Sequence, residues 1–413
     1  MIYLKTYKNG LRLILNKIDG LLSVTAGVLV KTGSVNESDK ENGISHFIEH
    51  NLFKGTKKRS SFEISDFIDG IGAQINAFTS KEMTCYYTKS TFDRLSESLD
   101  VLSDIFFNSQ FVAEELEKEK GVVIEEISMC EDTPEDVCMD LLAKTCYGDV
   151  GLGKTILGPA ENIKRFTKKD IEDYMAKYYT ADNVVISIAG NFDVNDAEKM
   201  VEDMFVGNFK KEKSANQVVN LPFKKGIAHK CKKIEQSHLA FALPAISVED
   251  ERVDALSIAN TVLGGGMSSR LFQKIREEMG LAYSIYSYCS TYKDCGTAEI
   301  YAGVNSKLKQ DAVNTIIDEV QKFAKSGLTE KEFERGKQQV KSAFVFGQEN
   351  TSSQMLIGGK YLLFRNKKFD FAQRISQIDA VTIDDVNAIS KEIYNVDKLS
   401  IATVDASKSK IKI

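Results

Sequence analysis

Residues 46 to 50 read His-Phe-Ile-Glu-His. On a helix, His46 and His50 sit at i and i+4, so both imidazoles leave one face about a turn apart. Two neutral imidazoles hold zinc well, and a carboxylate one residue before the second histidine can take a proton from water at the metal. The chain has only four histidines in 413 residues, so a pair at this spacing around Glu49 is a specific signal. It is also incomplete, because a catalytic zinc takes three protein ligands and keeps one position open. Neither His229 nor His238 falls in a helix that could pair with the motif. The spacing predicts a glutamate-rich helix over 113–131, with Glu119 and Glu126 two turns apart on one face and Glu125 about 100° away. One of the two carboxylates can ligate the metal while the other orients a histidine from behind. Spacing alone leaves open which does which, and glutamate-rich helices are common as plain solvated faces.

The elements that must position these side chains follow from periodicity and turn residues. A hairpin is predicted over 2–7 and 11–16 around Asn9-Gly10, with a third strand over 22–31. The histidine helix covers about 43–53, and Gly55 stops it. Ser60 and Glu63 form a capping box for a helix over 61–70. Strands near 73–79 and 83–90 and helices near 91–108, 113–131 and 135–147 follow, then a strand at 184–190 and a helix at 194–205. Residues 208–226 are polar and lysine-rich and read as a linker. The same order then repeats: strands near 227–233 and 238–244, helices near 249–264 and 268–279, strands near 282–289 and 296–303, two long helices over 306–326 and 329–348, and a last strand at 398–404. This is an α+β architecture of two homologous domains, each an antiparallel sheet covered by helices on one face. The domains are expected at 1–210 and 227–413, joined by the linker 211–226.

The run GISHFIEHNLFKGT, with Glu126 downstream inside VVIEEISM, resembles the inverted-zincin metallopeptidases, the family of pitrilysin, insulysin and the mitochondrial processing peptidase β subunit. The resemblance covers essentially the whole chain, and the length suits the short, two-domain subfamily. It implies His46, His50 and Glu126 as ligands of one Zn²⁺ per chain, Glu49 as catalytic base, and Glu119 as the acidic residue behind the ligands. It further implies that Asn76, Ala77 and Phe78 belong to an edge strand that takes up substrate as an added β-strand, a mode that reads backbone and tolerates many sequences. Arg276 and Tyr283 match a pair that hydrogen-bonds the substrate carbonyl and the developing oxyanion. In the family four domains close a chamber; two per chain implies a homodimer in which Arg276 and Tyr283 act on the partner protomer's zinc site, with peptides or unfolded segments as substrates. Two other readings stand beside this one. One is a processing peptidase that needs a different partner chain, and the other is a non-enzymatic structural subunit, which an intact metal motif disfavours. Manganese or cobalt suits the same two-nitrogen, one-oxygen donor set.

Bulk properties narrow the remaining classes. A net charge of −5 with 27% charged and 43% hydrophobic residues fits a soluble globular protein and argues against a nucleic-acid partner. The lysines at 224, 225, 230, 232 and 233 form a local cluster only. Seven cysteines, odd in number and without C-x-x-C, exclude a disulfide framework as the basis of the fold. The first residues alternate like a strand rather than a signal segment, and no apolar run approaches the ~18–20 residues of a membrane span. A cytoplasmic location without membrane partners is expected. Gly148 to Thr155 satisfies the nucleotide-binding pattern G-x-x-x-x-G-K-[ST], but a helix is predicted before it and Gly158-Pro159 after it, so no nucleotide is expected. Gly264-Gly265-Gly266 reads either as a helix–helix connection or as a substrate-contacting loop.

Overall fold

The computed structural model describes residues 1–209, 214, 222–407 and 411–412. In chain order the first half runs β1 (Ile2–Thr6), β2 (Arg12–Lys17), β3 (Ser23–Val30), α1 (Ile44–Asn51), α2 (Ser61–Gly70), β4 (Gln74–Thr79), β5 (Thr84–Thr91), α3 (Leu95–Asn108), α4 (Ala113–Asp132), α5 (Pro134–Tyr147), α6 (Ala160–Arg165), α7 (Lys168–Tyr178), β6 (Val184–Gly190) and α8 (Val194–Met204). The second half runs β7 (Ile227–Cys231), β8 (Gln236–Ala245), α9 (Val253–Gly264), a π-helix (Phe272–Glu278), β9 (Ala282–Thr291), β10 (Gly296–Asn305), α10 (Lys309–Ser326), α11 (Glu330–Gly347), α12 (Thr351–Arg365), α13 (Phe371–Ala380), α14 (Ile383–Ile393) and β11 (Ser400–Asp405). The expected linker, 211–226, falls largely outside the described residues.

The chain divides into two compact units: Met1–Ile127, Thr155–Val219 and Phe346–Phe369 form the first, and Ser128–Lys154, Asn220–Val345 and Asp370–Ile413 the second. In the first, the sheet order is β1-β2-β6-β3-β5-β4. Every neighbouring pair is antiparallel except β2 with β6. In the second, the order is β7-β11-β8-β10-β9, again with one parallel pair, β7 with β11. Reading both from the parallel pair outward gives the same arrangement, with β1 as an addition to the first unit. The two domains are therefore homologous α+β sheets with helices, as the repeating element order implied.

Strand alternation builds the core of the first unit. Leu13, Leu15, Val28, Val30, Ile186 and Ile188 point to one face and pack with Phe47, Ile48, Leu99, Leu102 and Val123 of the helices. The intervening residues Ile14, Leu29, Cys85, Val185 and Ala189 are just as buried, on the opposite face. Their cover is α12, which contributes Met355, Leu362 and Leu363. Small residues let this helix sit close. A Cβ on Gly27 would lie 2.4 Å from Met355 Sδ, and one on Gly359 2.7 Å from Leu29 Cδ2. Thr25 Oγ1 lies 2.8 Å from Thr351 Oγ1, and Ser187 Oγ donates to the Met355 carbonyl at 2.7 Å.

The second unit follows the same rule. Leu239, Phe241, Ile300, Ala302 and Ile401 face α9, α10 and α14. α5 lies against β11, β8 and β7, the strands equivalent to those under α12. The Cys138 thiol of α5 donates to the carbonyls of His238 and Ala402. Each half of the sequence thus supplies one helix to the unit built from the other half, so the units are not contiguous stretches of chain. Helices on one face, the arrangement read from the sequence, describe each half's own helices; the exchanged helix closes the second face.

A fragment of residues 1–209 lacks α12 and leaves a face of buried side chains open, each worth about 1.5–3 kcal/mol when covered. The fragment is expected to bind a hydrophobic dye and to lose its cooperative thermal transition, and added peptide 346–369 to restore it. A sharp transition in the fragment alone would contradict the exchange.

Candidate metal centre

α1 is short, and its start is held by a buried carboxylate. Gly43, at φ +98°, forms its N-cap without a side-chain bond. Glu37 from the preceding loop accepts from Gly43 N at 2.8 Å, Ser45 N at 2.9 Å and Asn42 Nδ2 at 3.0 Å. These are donors that an α-helix leaves unpaired at its first turn. Burial pushes the Glu37 pKa upward, and the Asn42, Gly43 and Ser45 bonds work against that shift. Ile44, Phe47 and Ile48 anchor the helix in the core. Tyr174 OH ties it to the sheet, 2.9 Å from both Ser45 Oγ and Thr32 Oγ1.

With one face of α1 fixed in the core, His46, Glu49 and His50 are presented together. The imidazole centroids of His46 and His50 are 4.5 Å apart. Glu126 Oε2 on α4 lies 3.5 Å from Nε2 of each histidine. Donor atoms of His46, His50 and Glu126 all fall within 4.8 Å of one another, the one such cluster of metal-binding side chains among the described residues. Donors bonded at 2.0–2.1 Å in a tetrahedron lie about 3.3 Å apart, so the spacing and the two-nitrogen, one-oxygen set fit zinc. The spacing argument had left Glu119 and Glu126 interchangeable; in the structure Glu126 converges with the imidazoles and Glu119 sits behind His50.

Glu119 Oε1 lies 2.8 Å from His50 Nδ1, and its Oε2 is 2.7 Å from Lys54 Nζ. Holding Nδ1–H on a carboxylate leaves His50 Nε2 bare for a metal. Burial opposes ionisation of Glu119, but His50 and Lys54 outweigh it and hold its pKa below the usual carboxylate range. For His50, burial pulls the pKa down, while the Glu119 bond and the charges of Glu119, Glu126 and Glu49 raise it above the ordinary value. Burial, with His50 nearby, pushes His46 down to about 4. His46 is therefore a neutral donor at neutral pH.

Glu49 has its own support. Thr79 Oγ1, on β4, donates to Glu49 Oε2. Burial raises the Glu49 pKa, and the Thr79 bond counteracts it. Among the described residues β4 is the outermost strand of its sheet and pairs only with β5. Ile75 and Ala77 face the helices and Phe78 the α12 side. Asn76 is exposed, and its Oδ1 accepts the Ala77 N–H at 2.8 Å. Asn76, Ala77 and Phe78 therefore lie on the outermost described strand of the sheet, beside α1.

In the second unit, Arg276 and Tyr283 are brought together. The Arg276 guanidinium stands 5.5 Å from the Tyr283 ring and 4.8 Å from that of Phe272. Tyr283 is 77% exposed, which places its hydroxyl at the surface. Arg276 belongs to a π-helical stretch where an ordinary helix was expected, a distortion frequent at functional sites. In the glycine run, a Cβ on Gly264 would meet Ser287 Oγ at 2.5 Å and one on Gly265 the Thr261 Cα at 2.7 Å, whereas Gly266 faces open space. Two of the three are packing requirements. The G-x-x-x-x-G-K-[ST] match follows helix α5, whose C-cap is Gly148, and Pro159 separates it from α6. The strand–loop–helix setting of a phosphate loop is missing.

Three supporting residues escaped the sequence reading. Lys54 had a legible signal, since it sits one turn beyond His50. Glu37 and Thr79 had none, because a loop carboxylate and a strand hydroxyl are ordinary until the fold brings them to α1.

The donor set suits a zinc ion, and the chain is similar to proteins named as zinc proteases. Residues 14–160 match the family model described as Insulinase (Peptidase family M16), and residues 165–340 that described as Peptidase M16 inactive domain. A protein of Bacillus subtilis (strain 168) named an uncharacterized zinc protease is 41% identical over 400 residues, covering 96% of this chain and 97% of its own length. One of Streptomyces coelicolor, also named an uncharacterized zinc protease, is 36% identical over 395 residues, covering 94% of this chain and 86% of its own. The crystal structure titled peptidase M16 inactive domain from Pseudomonas fluorescens superposes with a TM-score of 0.92 at 21% identity, covering 100% of this chain and 99% of that one. A protease from Helicobacter pylori superposes with a TM-score of 0.91 at 22% identity, covering 98% and 99%. At those identities the two structures speak for the fold. The chain belongs to the M16 (insulinase) peptidase family, in its short two-domain form. Among the described residues, no helix is long and apolar enough to cross a membrane.

Replacing a carboxylate that orients a ligating histidine costs about 10–100-fold in metal affinity. Glu119→Gln should weaken zinc binding by that factor in a competitive chelator titration while leaving the unfolding temperature near wild type. Unchanged affinity would remove Glu119 from the site.

Proposed function

We propose that this protein is a zinc-dependent endopeptidase acting on peptides and unfolded segments. The observation that carries the reading is the convergence of His46, His50 and Glu126 beside Glu49, on an element adjoining a free sheet edge. Zinc held by those three side chains would polarise a peptide carbonyl and acidify a water toward a pKa of about 7. Glu49 takes the proton from that water and delivers it to the leaving amine. Its half-buried carboxylate, with a raised pKa, suits a group that must both accept and return a proton. β4 receives the substrate as an added strand through main-chain bonds at Asn76, Ala77 and Phe78, so selection by side chain is weak.

Arg276 and Tyr283 supply hydrogen bonds to the substrate carbonyl and the oxyanion. Their mutual contact and the exposure of Tyr283 support that role. We assign them to the zinc centre of the partner protomer in a homodimer whose closed chamber admits only extended chains. The protein is read as cytoplasmic, with no nucleic-acid, nucleotide or membrane partner.

Glu49→Gln tests the chemistry. Wild type should contain one zinc per chain and cleave a quenched peptide, and the variant should keep the metal while losing about 10²–10⁴-fold in kcat. Equal rates would refute the mechanism. Mixing Glu49→Gln protomers with Arg276→Ala protomers tests the composite site. Each alone should be nearly inactive, and the mixture should recover a substantial share of wild-type activity. No recovery in demonstrated mixed dimers would rule out sharing between protomers.

A further inference from the structure

We propose that Thr79 is a positioning residue for the general base, fixing the Glu49 carboxylate from the strand that receives substrate. The proposal rests on the reading of Glu49 as the base.

The argument starts from alternation along β4. Ile75 and Ala77 turn toward the helical face of the sheet. Thr79, two residues further along, turns the same way and reaches α1, where its Oγ1 donates to Glu49 Oε2. An ionised carboxylate only accepts hydrogen bonds, so the hydroxyl must be the donor. Glu49 Oε1 takes no hydrogen bond from any described residue. One oxygen is thereby pinned and the other left for a proton. A glutamate side chain has several rotatable bonds, and a single directional anchor removes most of the freedom of its terminal group. Threonine suits the task because its β-branch restricts χ1 in a strand.

The anchor comes from the edge strand rather than from α1 itself. Thr79 ends β4, opposite Thr84 of β5, immediately after the segment assigned to main-chain pairing with substrate. The base is thus referenced to the strand that receives the substrate, and not only to the helix that carries two metal ligands. Proton transfer depends on placement within a few tenths of an ångström, so this reference bears on kcat rather than on binding.

The test compares Thr79→Val, which keeps the shape and removes the hydroxyl, with Thr79→Ser, which keeps the hydroxyl. Thr79→Val should lower kcat about tenfold or more, with KM, zinc affinity and unfolding temperature close to wild type, and Thr79→Ser should retain most of kcat. A fully active Thr79→Val, or equal loss in both variants, would overturn the proposal, the latter indicating packing alone. A structural readout separates this proposal from the reading of function. In crystal structures of the metal-free variants, the Glu49 carboxylate should keep its place in Thr79→Ser and turn away in Thr79→Val. An unmoved carboxylate in Thr79→Val would overturn the proposal whether or not wild type cleaves peptides. A displaced one would show that Thr79 fixes the Glu49 carboxylate, and an active Glu49→Gln would then overturn the base assignment separately.

Discussion

An eight-residue helix is too short to hold its shape alone, because nucleation takes up most of what so few hydrogen bonds return. α1 is such a helix, and it carries His46, Glu49 and His50. What makes it a fixed element is the buried carboxylate of Glu37, which bonds two main-chain N–H groups at its start. Gly43 follows from this, since a left-handed backbone at the cap brings those groups onto one acceptor. A side chain there is further barred by Leu157 O, 2.5 Å from a built Cβ. The loop that follows α5 therefore serves to close over the start of α1.

The metal centre was legible because its grammar is local. Two histidines at i and i+4 with a glutamate between them already define a face, and a helix with carboxylates two turns apart supplies the complement. Which carboxylate converges with the imidazoles was not legible, because that depends on where α4 crosses α1, and crossing geometry is set by the cores of both helices. The same division holds for the fold. The strands, the hairpin at Gly10 and the capping box at Ser60 could be read from alternation and turn chemistry. The helix α12 could not, since its run of small and apolar residues around Gly358-Gly359 makes sense only against Ile14 and Leu29 of a sheet built from the other half of the chain.

That exchange explains a feature of the strands. β6 is buried along its whole length, and β3 along all but its first residue. In a sheet with one covered face, alternate positions would be polar. Here both sets are buried, and the reading of one covered face came from assigning each half only its own helices. The equivalent placement of α5 and α12 shows that the second cover is part of the repeat itself.

The far cover also reaches the chemistry. Phe78 packs against the apolar cluster on the α12 side of the sheet, its ring 6.5 Å from that of Tyr87. Ala77 and Thr79, its neighbours in β4, face α1. One strand is therefore gripped from behind by a phenylalanine and offers in front a hydroxyl to Glu49, while its outer edge is left to pair. An edge strand held only by one neighbour would shift along that neighbour, and a slip of one residue would turn Thr79 to the wrong face. Anchoring through Phe78 prevents that slip. The placement of Glu49 thus depends on a helix whose sequence lies far from α1 and on the opposite side of the sheet.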